Sequence, residues 1–264
     1  MTDIKFENLQ DGLRIAYRID GRSDTGRCGF VWMGGFRSDM TGSKAETLAA
    51  LARESRRPCL RFDYSGHGAS EGSFEAGTIS AWLDQSVHML LNHTRGSQIV
   101  VGSSMGGWLA LLLYRRLQQV DRQAARRIAG LVLLAPAADM TADLMWDKFP
   151  EALRSELART GVCERPSLYG EPYVITAGLI DDGRQHLRHH EGLVIHCPVR
   201  ILQGDEDPDV PPDHAMKVYR TISGSDVTLT LIKGGDHRLS TPGSLALLRE
   251  TVLRLAERSD GLSV

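Results

Sequence analysis

Short apolar runs rich in branched residues alternate along the chain with longer segments whose apolar positions recur at helical spacing. Residues 29–35 (GFVWMGG) read as a strand. Residues 43–56 follow as a helix, because Ala45, Leu48, Ala49 and Ala52 share one face. The same alternation predicts strand 59–64, helix 79–94, strand 98–102, helix 106–119 and strand 128–137. It resumes with strand 199–203, helix 213–221, strand 227–232 and helix 245–258. Runs such as QIVVG and VLLAP are apolar without a break, as expected of strands buried on both faces. Such alternation builds βαβ units, so the expected class is α/β: a mostly parallel twisted sheet flanked by helices. The first strand, near 13–19, has no crossover helix after it and is expected to pair antiparallel at the sheet edge.

Residues 138–197 break the rhythm. They hold helix-like stretches (TADLMWDKF, PEALRSELARTG, ITAGLIDDGRQHL) interrupted by Pro150, Pro166, Gly170 and Pro172. An interval this long inside a compact domain is expected to be structured. The expected organisation is a single continuous domain, with residues 1–137 and 198–264 as the core and 138–197 as a helical cap insertion. Such an insertion can be a lid over a site or a buttress of the sheet.

Composition narrows the partners. The 264 residues carry 31 Lys and Arg against 33 Asp and Glu, a net charge of -2, which argues against a nucleic-acid-coating surface or a polybasic anchor. The longest apolar stretch, 128–138, is too short to span a bilayer, so no stable membrane insertion is expected. The N-terminus has Asp3, Glu7 and Asp11 and no apolar h-region, unlike a signal or transit peptide, and the cytoplasm is the expected location. Cys28, Cys59, Cys163 and Cys197 form no CxxC pair, and His186, His189 and His190 have no ligand partners at metal-binding spacing. Neither a metal nor another cofactor is expected. The oligomeric state is open.

Two stretches match G-x-S-x-G, around Ser104 (GSSMG) and around Ser70 (GASEG). The motif works where a strand runs into a sharp turn and a helix leaves it, which pushes Oγ out at the sheet edge. Ser104 has QIVV before it and GGWLALLLY after it; Ser70 sits in a polar turn. Ser104 is therefore the candidate nucleophile. A serine hydroxyl needs an adjacent base. The last strand ends LIKGG and delivers Asp236 and His237 beyond its C-terminal edge. Strand 199–203 is followed by four carboxylates, Asp205, Glu206, Asp207 and Asp209, any of which could orient His237. Asp207 lies midway between Gly204 and Val210–Pro211, with Asp205 as its main competitor. An oxyanion hole needs two backbone N–H groups. Met105, after the nucleophile, and Phe36, after Gly34 and Gly35, are the candidates. His67 reads as a loop residue shaping the floor of the site. Arg115, Arg116, Arg122, Arg126 and Arg127 read as cations near a helix C-terminus.

With these residues placed, the chain resembles the α/β-hydrolase fold throughout, with 138–197 as its cap. The segments GFRSDMTGSKA, CLRFDYSGHGAS, VVGSSMGGWLALLL and GDHRLS carry a closer resemblance. It is to a mitochondrial branch of the α/β-hydrolase superfamily that acts as palmitoyl-protein thioesterases and acyl-glucuronide esterases. The resemblance runs from about Gly29 to Arg258 and implies Ser104 as nucleophile, Asp207 as acid in a G-x-x-D-x-x-V-P turn, and His237 as base. This N-terminus lacks a transit peptide and the cap diverges, so neither the address nor the substrate follows.

The expected function is a cofactor-independent serine hydrolase of carboxylic esters or thioesters, acting through a Ser-His-Asp triad and an acyl-enzyme. Its substrate would be a small molecule or an acylated protein. Leu144, Met145, Trp146 and Phe149 are candidates to wall an acyl pocket. Acyl transfer, perhydrolysis, or a non-catalytic ligand-binding role on the same fold are the alternatives.

Overall fold

A computed structural model describes residues 3–22, 26–167, 170–187 and 192–261. In chain order the elements begin β1 (Lys5–Asn8), β2 (Arg14–Asp20), β3 (Gly29–Met33), α1 (Ser43–Ser55) and β4 (Cys59–Phe62). They continue with α2 (Ile79–His93), β5 (Gln98–Ser103), α3 (Met105–Val120), α4 (Arg122–Arg127) and β6 (Ile128–Leu134). Next come α5 (Glu151–Thr160), β7 (Val162–Ser167), β8 (Gly170–Thr176), α6 (Ala177–Arg184) and β9 (Leu193–Val194). The chain closes with β10 (Val199–Gly204), α7 (Pro212–Thr221), β11 (Ile222–Ser223), β12 (Val227–Ile232) and α8 (Pro242–Gly261).

Among the described residues the main sheet has eight strands in the order β1-β2-β4-β3-β5-β6-β10-β12. The six from β4 to β12 run parallel, whereas β2 is antiparallel to β4 and β1 is antiparallel to β2. The edge is therefore β1, not the strand expected there; its four residues are mostly exposed and leave no apolar signal.

Alternation along the strands splits the interior into two layers. Val31, Met33, Val100, Leu131 and Leu133 face α2 and α3, while Phe30, Trp32, Val101, Val132 and Leu134 face α1 and α8. Covering both faces explains the unbroken apolar runs.

The interval between β6 and β10 is not purely helical. A five-residue π-helical turn (Thr141–Met145), a 3₁₀ turn (Trp146–Lys148), α5 and α6 are joined by the antiparallel hairpin β7–β8. Alternation there has period two: Val162 and Glu164 are exposed while Cys163 is buried. Helix α6 starts only at Ala177, because the Thr176 hydroxyl caps it by accepting from Leu179 N. Another correction concerns Arg122–Arg127, which form α4, capped by Asp121 accepting from Ala124 N, rather than the end of the preceding helix.

A buried ion network ties the sheet to the loop before α1. Asp20 and Arg61 are both fully buried; Arg61 Nε donates to Asp20 Oδ2 at 2.9 Å and Arg61 Nη1 to Met40 O at 2.6 Å. Glu46 and Arg53 complete it. Asp20→Ala would leave the buried Arg61 paired with the half-exposed Glu46, so a loss of about 3–5 kcal/mol in urea unfolding is expected. A loss below about 1 kcal/mol would show that Glu46 alone compensates the guanidinium.

Candidate active site

Strand β5 runs straight into α3, and Ser104 is the residue between them. Its backbone is in the left-handed half of conformational space, φ 55° and ψ -118°, which side chains rarely adopt outside functional turns. The turn is pinned where Ser104 N donates to Leu134 O (2.8 Å) and Ala137 N donates to Ser104 O (3.1 Å). Glycine is required at Gly106, since a Cβ there would lie 2.1 Å from Met33 O. At Gly35 a Cβ would stand 3.4 Å from Ser104 Cβ, so a glycine there lets the loop leaving β3 lie beside the hydroxyl-bearing residue.

Three strand ends converge on one relay. His237 Nε2 lies 3.1 Å from Ser104 Oγ, and His237 Nδ1 lies 2.8 Å from Asp207 Oδ2. The ionised carboxylate only accepts, so the proton sits on Nδ1 and Nε2 is left to accept from the serine. Asp207 is fully buried at its side chain and is held by four groups. Its Oδ1 accepts from Asp209 N and Val210 N, and its Oδ2 accepts from Gln203 Nε2 as well as His237. Gln203 was not foreseen; its signal is an uncharged polar residue in the buried C-terminal half of β10.

The main competing carboxylate, Asp205, is engaged elsewhere. Asp205 accepts from Lys233 Nζ (2.8 Å) and Gly234 N (2.6 Å), and the lysine hydrogen bond holds its carboxyl below the usual range. Asp209 lines the cavity, and its backbone N–H donates to Asp207. Among the described residues, ligand-type atoms of Asp207, Asp209 and His237 lie within 4.8 Å of one another. Two of its three members, Asp207 and His237, are bonded to each other in the relay. Of the histidines considered as ligands, His186 Nε2 bonds Ser80 Oγ (2.7 Å), and His189 and His190 lie outside the described residues.

Ser70 serves as a strut. Its hydroxyl donates to Asp63 O (2.7 Å) and accepts from Ala16 N (2.8 Å). His67 is buried with Nδ1 3.1 Å from Ser65 O, its rings of contact being Tyr64, Phe74 and Trp82. It does not line the cavity; it lies behind Phe36, whose ring meets Phe74 and Trp82 edge-on. Burial holds the His67 pKa below its ordinary value, keeping it neutral.

The cavity over Ser104 holds about 600 Å³. Of the four cap residues expected to wall it, Leu144 and Met145 do so. Trp146 instead stacks under the guanidinium groups of Arg154 and Arg184, and Phe149 is buried in the apolar core. The cavity is also lined by Arg37, Asp39, Lys44, Arg165 and Arg238, none of which the sequence singled out. A larger cavity of about 810 Å³ opens at the other end of the sheet beside Tyr114, Arg122, Cys197 and Leu255. Burial pushes the Cys197 thiol up to about 12, so it stays protonated.

The chain is similar to known proteins over nearly its whole length. The sequence pattern of the alpha/beta hydrolase family matches residues 29–246. The human mitochondrial palmitoyl-protein thioesterase ABHD10 is 31% identical over 260 residues, covering 97% of this chain and 81% of the human protein. The crystal structure of a putative hydrolase from Agrobacterium vitis S4 superposes with a TM-score of 0.91 at 40% identity, covering 97% of this chain and 98% of the other. The mouse alpha/beta hydrolase domain-containing protein 10 superposes with a TM-score of 0.85 at 29% identity, covering 97% and 99%.

Proposed function

Because the chain belongs to the alpha/beta hydrolase family, we propose that it is a serine hydrolase cleaving carboxylic ester or thioester bonds through an acyl-enzyme. The observation that carries this reading is the unbroken relay from Ser104 Oγ through His237 to the buried Asp207. As Oγ attacks the substrate carbonyl, His237 Nε2 takes its proton, and Asp207 holds the imidazole and stabilises the imidazolium. The N–H groups of Met105 and Phe36 are assigned to the developing oxyanion; the first begins α3 and the second follows Gly35, whose backbone lies beside Ser104. His237 then protonates the departing alcohol or thiol, and water cleaves the acyl-enzyme by the same path. The thioesterase named in the human relative supports an acylated thiol, on a small molecule or a protein, as one substrate type.

Treatment with a fluorophosphonate, followed by peptide mapping, tests the reading. A single adduct is expected on Ser104. An unlabelled protein would mark a non-catalytic, ligand-binding member of the family, and an adduct on Ser70 would move the nucleophile.

The cavity wall makes a second expectation. Leu144→Ala should shift kcat/KM among p-nitrophenyl esters of graded acyl length, since one methylene against an apolar wall is worth only about 1–3 kcal/mol and wall shape sets the preference. Trp146→Ala, outside the wall, should change every chain length by one common factor. The reverse result would place the acyl chain on the Trp146 side.

A further inference from the structure

The catalytic cavity has a mixed lining. Met140, Leu144, Met145 and Ile175 give it apolar surface that suits an acyl chain, with the Arg165 guanidinium held beside them on Leu144 O (3.2 Å). Arg238 and Ser240 follow His237 in the same loop, and Lys44 meets that loop at the cavity wall. His237 is the group that would protonate the departing alcohol or thiol, so its surroundings face the leaving group.

Among the described residues, no carboxylate lies within ion-pair distance of the half-buried Lys44 ammonium, unlike the two buried arginines Arg61 and Arg57. Arg61 is paired with Asp20, and Arg57 with Asp260 at 2.7 Å. The Lys44 ammonium instead donates to the carbonyl of Arg238. Next to it, Ser43 and Ser240 share a hydroxyl hydrogen bond of 3.0 Å, which fixes the start of α1 against the His237 loop. Charge at Lys44 is disfavoured: its pKa is pushed down to about 8, first by burial and then by Arg238. Asp236 and Asp207 pull the other way without cancelling the shift. An anion entering beside Lys44 would supply the missing counter-charge.

We propose that the Lys44 side of the cavity is an anion subsite and that the preferred substrates carry a carboxylate or phosphate on their leaving group. This rests on the serine-hydrolase reading and deepens it. The leaving thiol or alcohol departs with its own negative group held by Lys44, so the contact aids binding and alignment without joining the bond changes.

Three S-hexanoyl thioesters test it, with N-acetylcysteamine (neutral), 3-mercaptopropionate (carboxylate) and phosphopantetheine (phosphate) as leaving thiols. At pH 7 at least one anionic thioester should exceed the neutral one about tenfold in kcat/KM, mainly through KM. The two anionic arms tell carboxylate from phosphate. The anionic-to-neutral ratio should fall as pH rises through about 8 and Lys44 loses its proton; ionisations shared by the reactions cancel in the ratio. Lys44→Gln should bring the ratio to about one however far both rates fall, and Lys44→Arg should keep it. A wild-type ratio at or below one, or a ratio that Lys44→Gln does not move, overturns the subsite. If the neutral thioester is turned over and Ser104 takes phosphonate, only the subsite has failed. If neither happens, the hydrolase reading has failed and the subsite with it.

Discussion

Ser104→Ala is expected to lower kcat by about 10⁶-fold while leaving the fold intact, because removing the nucleophile idles the base and the acid with it. The residual rate would come from the oxyanion donors and substrate binding alone. Alanine adds no atom to the tight turn, though it keeps the strained φ of 55°. The control is Ser70→Ala, in the second copy of the motif. There the hydroxyl bridges Ala16 N and Asp63 O, so its removal should cost about 1–3 kcal/mol of stability and leave kcat of the folded protein near wild type. Initial rates on one ester, with urea unfolding of both variants, decide the matter. If Ser104→Ala keeps more than about a hundredth of wild-type kcat, this serine is not the nucleophile.

Asp207→Asn is expected to cost up to about 10⁴ in kcat with little change in melting temperature. An asparagine can still accept from Asp209 N and Val210 N through its carbonyl oxygen. Its amide nitrogen would then face both Gln203 Nε2 and His237 Nδ1, where the carboxylate oxygen now accepts. His237 must turn over its tautomer, putting a proton on Nε2, and can no longer accept from Ser104. Asp205→Asn loses the exposed Lys233 ion pair, and Asp209→Asn leaves its backbone N–H in place, so both should stay within a few-fold of wild type. The assignment is wrong if Asp205→Asn collapses while Asp207→Asn does not.

Much of this site was legible in one dimension. An apolar strand running into GSSMG and then a helix marks Ser104, because the elbow is built from adjacent residues. His237 at the end of the last strand follows from the same logic, since every parallel strand of an α/β sheet delivers its C-terminal residue to one edge. The choice among Asp205, Glu206, Asp207 and Asp209 was not legible. A turn can present any of four nearby carboxylates, and the outcome depends on Gln203, Lys233, Gly234 and His237, of which three lie about thirty residues on.

The cap shows the limit differently. Leu144, Met145 and Trp146 are neighbours in sequence, and shared hydrophobicity suggested a shared wall. The backbone passes from a π-helical to a 3₁₀ turn between Met145 and Trp146, so Trp146 points to Arg154 and Arg184 while its neighbours reach the cavity. The hairpin β7–β8 was missed because Pro and Gly interrupt a period-two pattern too short to stand out from its helical flanks. The strand β1 was missed because an exposed edge strand buries no regular face.

By itself, then, the chain determined its layered class, its elbow serine and the edge where chemistry could occur, because those follow from periodicities and turns spanning a few residues. Tertiary structure alone decided which carboxylate meets His237, which cap side chains see the cavity, and that Lys44 from the start of α1 meets the carbonyl of Arg238. Each of these is a contact between residues far apart in sequence, and local pattern carries no record of which distant group will arrive.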